Sequence, residues 1–320
     1  MKKVLICGVS GQDGAYLSKL LLEKGYEVYG GSRDATTNTF SNLNTLKIRD
    51  KVHPVSINIT DFRSTIQTII RIRPDEIYNL SGQSSVGLSF EQPVETFESI
   101  SIGTLNLLEA IRFGDQPVRL YNSGSSECFG ELGHQPADEN TPFKPRSPYA
   151  IAKATAHWQV VNYREAYNIY ACTGILFNHE SPLRPTRFVT KKIINAACRI
   201  FKGSKEKLHL GNIDIQRDWG WAPDYVDAMW RMLQQDKPDD FVIATGITHS
   251  LQEYIQLVFG YLKMDWHEHV ISDPALLRPT DLLIGRANPS KANKILNWKA
   301  TYSLETVIEK MIEAELRIDS

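Results

Sequence analysis

The chain has few cysteines, no long apolar run and almost no net charge, and each shortage excludes a class of protein. Its four cysteines are scattered and form no C-x-x-C pair, so we expect buried free thiols in a cytoplasmic protein without a disulfide framework. The apolar run after Met1 ends at Gly8, too short for a signal peptide or a membrane span. A net charge of -1 attracts neither nucleic acid nor an anionic membrane, so anionic ligands must be held by local features.

The first half of the chain shows a regular alternation of short apolar runs with segments of helical periodicity. Strands are predicted at residues 4–7, 27–29, 55–57, 75–80, 118–122 and 170–177. Helices are predicted at residues 62–72, 103–113 and 148–167, and another follows the first strand. Because strands alternate with helices, we predict an α/β fold with a doubly wound parallel sheet of the Rossmann type.

The alternation stops after residue 177, where a polar loop, a helix near 188–201 and a strand at 240–244 are predicted. We therefore predict two interleaved domains. Residues 1–177 and about 217–248 would form the dinucleotide-binding domain. Residues about 178–216 and 249–320 would form a smaller substrate domain.

A glycine-rich segment joins the first predicted strand to the first helix. Gly8, Gly11 and Gly14 form a G-x-x-G-x-x-G pattern that also contains Gln12 and Asp13. Glycines at this junction let the backbone approach a pyrophosphate, which binds at the helix N-terminus. A glycine triplet alone also fits a plain tight turn, but its position at the first βα junction favours dinucleotide binding. The spacing resembles the extended branch of the short-chain dehydrogenase/reductase superfamily.

The end of the second strand indicates which dinucleotide binds. An acidic residue there binds the ribose hydroxyls of NAD, whereas an arginine accommodates the 2′-phosphate of NADP. This chain has Ser32 and Arg33, which can both donate hydrogen bonds, and no acid before Asp34. Arg33 could also be a solvated surface residue, but its position predicts NADP as the cofactor.

Tyr149 and Lys153 form a Y-x-x-x-K pattern just after Pro148, at the start of a predicted helix. Residues four apart share a helix face, so we expect the lysine ammonium to lower the pKa of the phenol from about 10, as would the positive ring of oxidised nicotinamide. A phenolate stabilised in this way can remove a proton from a sugar hydroxyl while hydride leaves the same carbon. The pattern alone also occurs by chance on surface helices, and the glycine loop strengthens it.

A serine-rich segment with one acid follows the predicted strand at 118–122. Strand ends face the crevice where ligands bind in such sheets, so Ser125 or Ser126 can hydrogen-bond a reacting oxygen. A simple reductase needs no acid here, whereas the Glu127 carboxylate could remove a proton from a carbon next to a ketone. Alternatively, Glu127 is a helix-capping residue or a surface acid. Because no G-x-S-x-G elbow is present, these serines do not indicate a hydrolase.

Longer segments resemble the GDP-mannose 4,6-dehydratase family over nearly the whole length. The resemblance is carried by residues 78–80, 145–150, 162–165, 174–182, 217–220 and 240–246. Within these, the run FNHESP at 177–182 is far more specific than a glycine pattern. The resemblance implies oxidation of the sugar at C4 with bound NADP+, loss of water across C5 and C6, and return of hydride to C6. The product would be a 4-keto-6-deoxy sugar.

The resemblance also implies a role for each matching residue. Tyr149 would be the base at O4 and Lys153 its electrostatic partner. Glu127 would be the acid and base at C5 and C6, and Ser125 matches the family's catalytic threonine. Further cofactor contacts are implied at Asn58, Ile59, Leu80 and Ser81. Substrate contacts are implied at Ser85, Ser125, Ser126, Glu127, Asn178, Val189, Lys192, Gly211, Arg217 and Arg278.

Several positions depart from the family's pattern. Ser125 lacks the methyl group of threonine, Asn58 stands where an acid is usual, and the loop after Arg33 is short. Ser85 replaces a larger residue near the sugar pocket, so GDP-D-glycero-D-manno-heptose is an alternative substrate to GDP-mannose. The scaffold also fits a reductase or epimerase, or a non-catalytic NADP-binding protein. We expect a homodimer or homotetramer, and no metal because His267-Glu268-His269 lacks a third ligand at zinc spacing.

Overall fold

The computed structural model describes residues 1–277 and 279–317. The strands are β1 Lys3–Cys7, β2 Glu27–Ser32, β3 His53–Ser56, β4 Glu76–Asn79, β5 Arg119–Ser123, β6 Ala171–Leu176, β7 Asn178–Glu180, β8 Leu208–Leu210, β9 Gln216–Arg217, β10 Trp219–Trp221, β11 Phe241–Ile243, β12 His249–Ser250 and β13 Val270–Ser272. The α-helices are α1 Gln12–Glu23, α2 Ser41–Thr45, α3 Phe62–Ile72, α4 Val86–Glu91, α5 Pro93–Phe97, α6 Gly103–Phe113, α7 Pro148–Tyr167, α8 Val189–Phe201, α9 Ala222–Leu233, α10 Leu251–Tyr261, α11 Ser290–Ile295 and α12 Leu304–Arg317. None of the helices in these residues is long and apolar enough to cross a bilayer.

Seven strands form one parallel sheet in the order β3-β2-β1-β4-β5-β6-β11, which confirms the predicted doubly wound parallel sheet. The order reverses at β1, because β2 and β3 lie on one side of it and the later strands lie on the other. The carboxyl ends are in register there, since Cys7 pairs with Gly31 of β2 and with Asn79 of β4. Ligands bind at such a reversal in open α/β sheets.

Strand β1 shows why the sheet is buried on both faces. Val4 and Ile6 belong to an apolar cluster with α1 and α9, whereas Leu5 and Cys7 belong to a cluster with α3 and α6. All four side chains are at most 1% exposed. A strand covered by helices on both sides has no solvated face, and its sequence is therefore an unbroken apolar run.

A second apolar core lies in the carboxyl-terminal half of the chain. It joins α8, α10 and α12 to β8 and β10, and Ile193, Tyr254 and Met311 are fully buried within it. The three helices belong to segments assigned to the substrate domain. The domain boundaries themselves remain a prediction.

The helices predicted at 62–72, 103–113 and 148–167 are confirmed with the same bounds. Periodicity does not predict α9 or the region 86–102, where α4, α5 and a π-helical turn at Glu98–Ile102 lead into α6. The elements in this region are short and pack on α7, where the hydroxyl of Ser101 donates to the carbonyl of Ala152 at 3.0 Å. Short helices owe most of their stability to such packing, which a local pattern does not record.

A partly buried ion pair fixes α7 to the edge of the sheet. Arg164 of α7 donates to both carboxylate oxygens of Asp240, at 3.0 and 2.6 Å. The same carboxylate accepts the backbone N–H of Thr173 in β6 at 2.6 Å. The two charged side chains are 18% and 11% exposed. Because α7 carries Tyr149 and Lys153, this pair helps to position them against the sheet.

We expect Asp240→Ala to destabilise the protein by about 3–5 kcal/mol, because Arg164 would lose its partner and Thr173 its acceptor. Asp239→Ala is the matched control, since Asp239 is 49% exposed and lies 2.8 Å from Lys291. An exposed pair of this kind contributes at most about 1 kcal/mol. The measurement is urea unfolding of both variants beside the wild type, and equal losses in the two variants would contradict the prediction.

Candidate active site

A cleft opens at the carboxyl edge of the sheet, where the strand order reverses. Its walls come from the segments that follow β4, β5 and β6, together with the starts of α7 and α8. The predicted site residues that line it are Asp13, Leu80, Ser81, Ser85, Ser125, Ser126, Glu127, Tyr149, Lys153, Asn178, Val189 and Arg217. These residues are far apart in sequence, so the topology of the sheet brings them together.

The glycine loop packs too closely against its surroundings for larger residues. A Cβ on Gly8 would lie 2.7 Å from the carbonyl oxygen of Leu80, and one on Gly14 would lie 2.4 Å from that of Gly8. Gly8 also has a φ of 88°, in the left-handed region that favours glycine. The carbonyl of Gly31 in β2 accepts the N–H groups of Gly8 and Val9 at 3.2 and 3.4 Å. The start of α1 therefore lies directly against the edge of the sheet.

Helix α1 begins without a side-chain cap. Gly11 occupies the N-cap position and offers no side-chain acceptor to the N–H groups of the first turn. Such N–H groups, at the positive end of the helix dipole, bind anions. The loop and the helix end together fit the pyrophosphate of a dinucleotide.

The side chains of Gln12 and Asp13 contact the segment that follows β6. Gln12 is 6% exposed, donates to the carbonyl of His179 at 3.2 Å and accepts the hydroxyl of Ser181 at 2.7 Å. The Oδ2 atom of Asp13 lies 2.9 Å from Nε2 of His179. The side chains of Gln12 and Asp13 are therefore already engaged, and their backbone N–H groups are the groups that can bind an anion at this helix end.

The residues predicted for the adenosine end lie at the ends of β2 and β3, outside the lining of the cleft. Ser32 closes β2, and the side chain of Arg33 is 84% exposed, with its guanidinium 3.9 Å from Glu95. The side-chain carbonyl of Asn58 accepts two hydrogen bonds within the turn after β3, and Ile59 is buried. Because an exposed ion pair is weak, Arg33 can turn from Glu95 toward a phosphate at little cost.

Strand β5 and helix α7 bring Ser125 and Tyr149 together. Ser125 follows β5 and begins a short 3-10 turn, in which its hydroxyl accepts the N–H of Glu127 at 3.3 Å. Ser147 caps α7 by accepting the N–H of Ala150 at 3.1 Å, which places Tyr149 in the first turn. The Ser125 hydroxyl and the Tyr149 phenol both line the cleft, and the hydroxyl lowers the pKa of the phenol. A reacting oxygen in the cleft would thus meet two hydroxyl groups.

Lys153 lies one turn after Tyr149, with its ammonium 5.9 Å from the centre of the phenol ring. The ammonium donates to the carbonyl and the hydroxyl of Ser123, at 2.7 and 3.1 Å. Both side chains are buried, and burial lowers the pKa of Lys153 to about 8. Burial also raises the pKa of Tyr149, against a smaller lowering by the Ser125 hydroxyl.

The expected lowering of the Tyr149 pKa by Lys153 is therefore wrong for the protein alone. The ammonium is directed to Ser123, and the removal of the phenol from water outweighs the lowering of its pKa by Ser125 and Arg184. The chain's own groups therefore favour the neutral phenol.

Three predicted substrate residues share the cleft with Glu127. Asn178 begins β7 and Val189 begins α8. The side chain of Arg217 is 8% exposed, and its guanidinium lies 3.8 Å from the carboxylate of Asp281. A nearly buried guanidinium in the wall of a cleft suits an anionic group of a ligand.

Lys192 and Gly211 lie outside the lining of the cleft. Lys192 donates to the carbonyl of His209 at 2.7 Å. A Cβ on Gly211 would lie 2.9 Å from the carbonyl oxygen of Leu276, so the chain is tightly packed there. Arg278, which the resemblance assigns to the nucleotide diphosphate, lies outside the described residues.

Sequence reasoning does not assign His179, Glu180 or Arg184 to the site, yet all three line the cleft. Glu180 is 1% exposed, accepts the hydroxyl of Thr190 at 2.7 Å and lies 3.2 Å from Arg184. The signal that could have found His179 and Glu180 is the run FNHESP at 177–182, which contains both. Arg184 lies outside this run and has no such signal.

Known proteins resemble this chain over nearly its full length. The family described as GDP-mannose 4,6 dehydratase matches residues 5–311. The chain is 45% identical over 332 residues to GDP-mannose 4,6 dehydratase 1 of Arabidopsis thaliana, covering 99% of this chain and 90% of that protein. It is 40% identical to GDP-mannose 4,6 dehydratase of Homo sapiens, covering 98% and 91%.

Solved structures share the fold at lower identity. The UDP-glucose 4-epimerase of Thermus thermophilus has a TM-score of 0.86 at 24% identity, over 98% of each chain. The dTDP-glucose 4,6-dehydratase of Bacillus anthracis also has a TM-score of 0.86, at 18% identity over 99% of this chain and 97% of that one. These two similarities concern the fold alone. The sequence matches, at 45% and 40% identity over nearly the whole chain, show more than the fold. They show that the chain belongs to the GDP-mannose 4,6-dehydratase family.

Proposed function

We propose that this protein is a 4,6-dehydratase that converts GDP-mannose to GDP-4-keto-6-deoxymannose with bound NADP. The observation that carries the proposal is the presence of Ser125, Glu127 and Tyr149 in one cleft, beside a glycine loop that fits a pyrophosphate. Membership of the GDP-mannose 4,6-dehydratase family supports the same reaction. A reductase or an epimerase on this scaffold has no need of Glu127, and a non-catalytic NADP-binding protein has no need of Ser125 and Tyr149 in the same cleft.

The dinucleotide would be held by the glycine loop, by the ends of β2 and β3, and by Tyr149 and Lys153. Solved neighbours in fold contain NAD, and one from Pseudomonas aeruginosa is complexed with NADPH, which supports a nicotinamide cofactor. NADP is the proposed form because Ser32 closes β2 and Arg33 follows, with no carboxylate before Asp34. The bound nicotinamide supplies hydride transfer, from C4 in the first step and back to C6 in the last.

Tyr149 is the proposed acceptor of the proton from O4 of the sugar. Its phenol lies in the wall of the cleft with the Ser125 hydroxyl, which can donate to the same sugar oxygen. Lys153 is the chain's own positive charge beside the phenol, held in place by Ser123. Its ammonium would stabilise the phenolate once substrate has displaced water from the cleft.

Glu127 is the proposed acid and base of the water-loss step. A ketone at C4 acidifies the hydrogen on C5, and the Glu127 carboxylate can accept that proton. The protonated acid can then give the proton to the hydroxyl that leaves C6. One carboxyl group can serve both steps because the two carbons are adjacent. Return of hydride to C6 would leave an enolate that takes a proton at C5. The proton that Tyr149 accepted from O4 balances this one, so the chain returns to its starting protonation state.

The nucleotide would lie along the start of α8. Arg217 presents a nearly buried guanidinium there, and Val189 begins the helix. Lys192 and Gly211 would extend the same surface, together with Arg278. We also propose that the protein is cytoplasmic and that it forms a homodimer or a homotetramer. Three exposed apolar side chains on and near α7 support the assembly, Val94, Ile151 and Trp158.

The identity of the sugar depends on the wall of the cleft after β4. That wall contains four small residues, Ser81, Gly82, Ser84 and Ser85, beside the larger Leu80, Gln83 and Val86. Ser85 uses its hydroxyl to cap α4. Small side chains leave room for the extra carbon of GDP-D-glycero-D-manno-heptose, which is the second candidate substrate. GDP-mannose is placed first because the relatives that match the whole chain are GDP-mannose 4,6 dehydratases.

We expect purified protein to convert GDP-mannose to a 4-keto product with no added cofactor, because one oxidation and one reduction leave no net redox change. The values of kcat/KM are then compared for GDP-mannose and GDP-D-glycero-D-manno-heptose. The additional carbon of the heptose should change kcat/KM by about 10- to 200-fold at most. An excess for the heptose would reverse the ranking of the sugars. A stoichiometric demand for NADPH would indicate a reductase, and activity on UDP- or dTDP-sugars alone would overturn the proposal.

We expect Tyr149→Phe and Glu127→Gln to fail at different steps. Tyr149→Phe should slow the first hydride transfer by about 10²–10⁴-fold, because no base remains for the C4 hydroxyl. Glu127→Gln should still reduce bound NADP+ when mixed with substrate and then stall, because an amide cannot accept the C5 proton. Stopped-flow absorbance of the reduced nicotinamide separates the two. Normal turnover by Glu127→Gln would contradict the assignment of the acid and base.

We expect Arg33→Ala to weaken the binding of NADP by about tenfold or more while NAD is little affected, because the guanidinium would contact the 2′-phosphate. The control is Glu95→Ala, which removes the exposed partner of Arg33 and leaves its charge in place. Dissociation constants for both dinucleotides are measured for the three proteins. Equal losses for NADP and NAD in Arg33→Ala would show that Arg33 does not select the cofactor.

A further inference from the structure

We infer that His179 is a positioning residue, a buried cation that neutralises Asp13 at the glycine loop and ties this loop to the strand that carries Asn178. The inference rests on the proposed binding of a dinucleotide at the glycine loop. It explains a contact between two segments far apart in the chain, the first turn of α1 and strand β7. Neither catalytic step proposed above uses this pair.

Both ring nitrogens of His179 face hydrogen-bond acceptors. Nδ1 lies 2.8 Å from the backbone carbonyl oxygen of Phe177, and Nε2 lies 2.9 Å from Oδ2 of Asp13. A carbonyl oxygen and a carboxylate cannot donate, so each nitrogen must carry a hydrogen and the ring is an imidazolium. Burial alone would lower the pKa of His179, but the Asp13 carboxylate raises it above its ordinary value.

The other groups that face the ring do not replace Asp13. The ring stacks on Tyr225 of α9, with ring centres 4.5 Å apart, and burial raises the pKa of Tyr225 well above its usual range. Tyr225 therefore stays neutral. Arg184 is a nearby cation and lowers the pKa of His179. Asp13 is thus the group that keeps the ring protonated.

Asp13 stands where the proposed pyrophosphate binds, in the first turn of α1. An uncompensated carboxylate there would repel a second anion, and the repulsion is strong at a partly buried site. In this structure Oδ2 of Asp13 faces His179, and Oδ1 accepts the amide of Gln12 at 3.0 Å. The negative charge is therefore cancelled within the protein, and the helix end stays positive for its ligand.

The pair also joins the cofactor side of the cleft to its substrate side. Gln12 holds the same strand through the backbone carbonyl of His179. Asn178 precedes His179 and lines the cleft, and Glu180 follows it and accepts the hydroxyl of Thr190 in the first turn of α8. Successive residues of β7 thus reach the cleft, the glycine loop and α8.

The test measures NADP+ binding by titration calorimetry in wild type, His179→Gln, Asp13→Asn and the double variant. We expect His179→Gln to raise Kd about tenfold or more, because Asp13 is left uncompensated near the phosphates. The double variant should bind within about threefold of wild type, because the repelling charge is gone. A double variant that binds no better than His179→Gln would overturn the inference, since a purely structural histidine gives no such rescue.

A measurement on the wild type keeps the test independent of whether the variants fold. Nitrogen chemical shifts of the His179 ring distinguish an imidazolium from a neutral ring. We expect an imidazolium at neutral pH in wild type and a neutral ring in Asp13→Asn, and a neutral ring in wild type would overturn the inference. If wild type bound no nicotinamide dinucleotide at all, the proposed function would fail instead, so the two failures are distinguishable.

Discussion

The parallel register of the central sheet is the constraint on which the site depends. All seven strands end at the same edge, and the order reverses at β1, so the segments that follow β1 and β4 diverge and leave a cleft between them. Asp13, Ser125 and His179 meet at this cleft although whole βαβ units separate them in the chain. An antiparallel sheet would end alternate strands at opposite edges and would divide the same residues between them.

The net pKa shift of each ionisable group in the cleft depends on which groups are buried with it. Asp13 and His179 are buried as a pair, so the pKa of the acid is lowered and that of the base is raised despite the loss of water. Lys153 donates to neutral atoms of Ser123, and burial lowers its pKa to about 8. Burial likewise raises the pKa of Tyr149. The charged pair therefore lies at the glycine loop, and the groups that burial favours in their neutral forms lie where the proposed proton transfer occurs.

The parts of the site that the sequence predicts are those with a local signal. Pro148 and the spacing of Tyr149 and Lys153 predict α7 with its bounds, and the ends of the predicted strands indicate which residues converge. Contacts between distant segments have no such signal. The side chains of Gln12 and Asp13 hold β7, although the glycine pattern assigns them to the cofactor. The raised pKa of Tyr149 likewise depends on burial, which a pattern of residues four apart does not record.

Strand β7 shows how a few residues can connect the proposed cofactor site to the proposed substrate site. Neighbouring side chains of a strand point to opposite faces, so Asn178 and His179 must serve different partners, and Glu180 completes the contact with α8. The backbone of β7 is itself held by parallel pairing with β10, from Asn178 opposite Trp219 to Glu180 opposite Trp221. A shift of this strand to suit one partner would therefore move the other two. The amide of Asn178, the imidazolium of His179 and the carboxylate of Glu180 each suit a different neighbour. The chemistry of the side chain, and not its size alone, therefore limits which residue each position of β7 can hold.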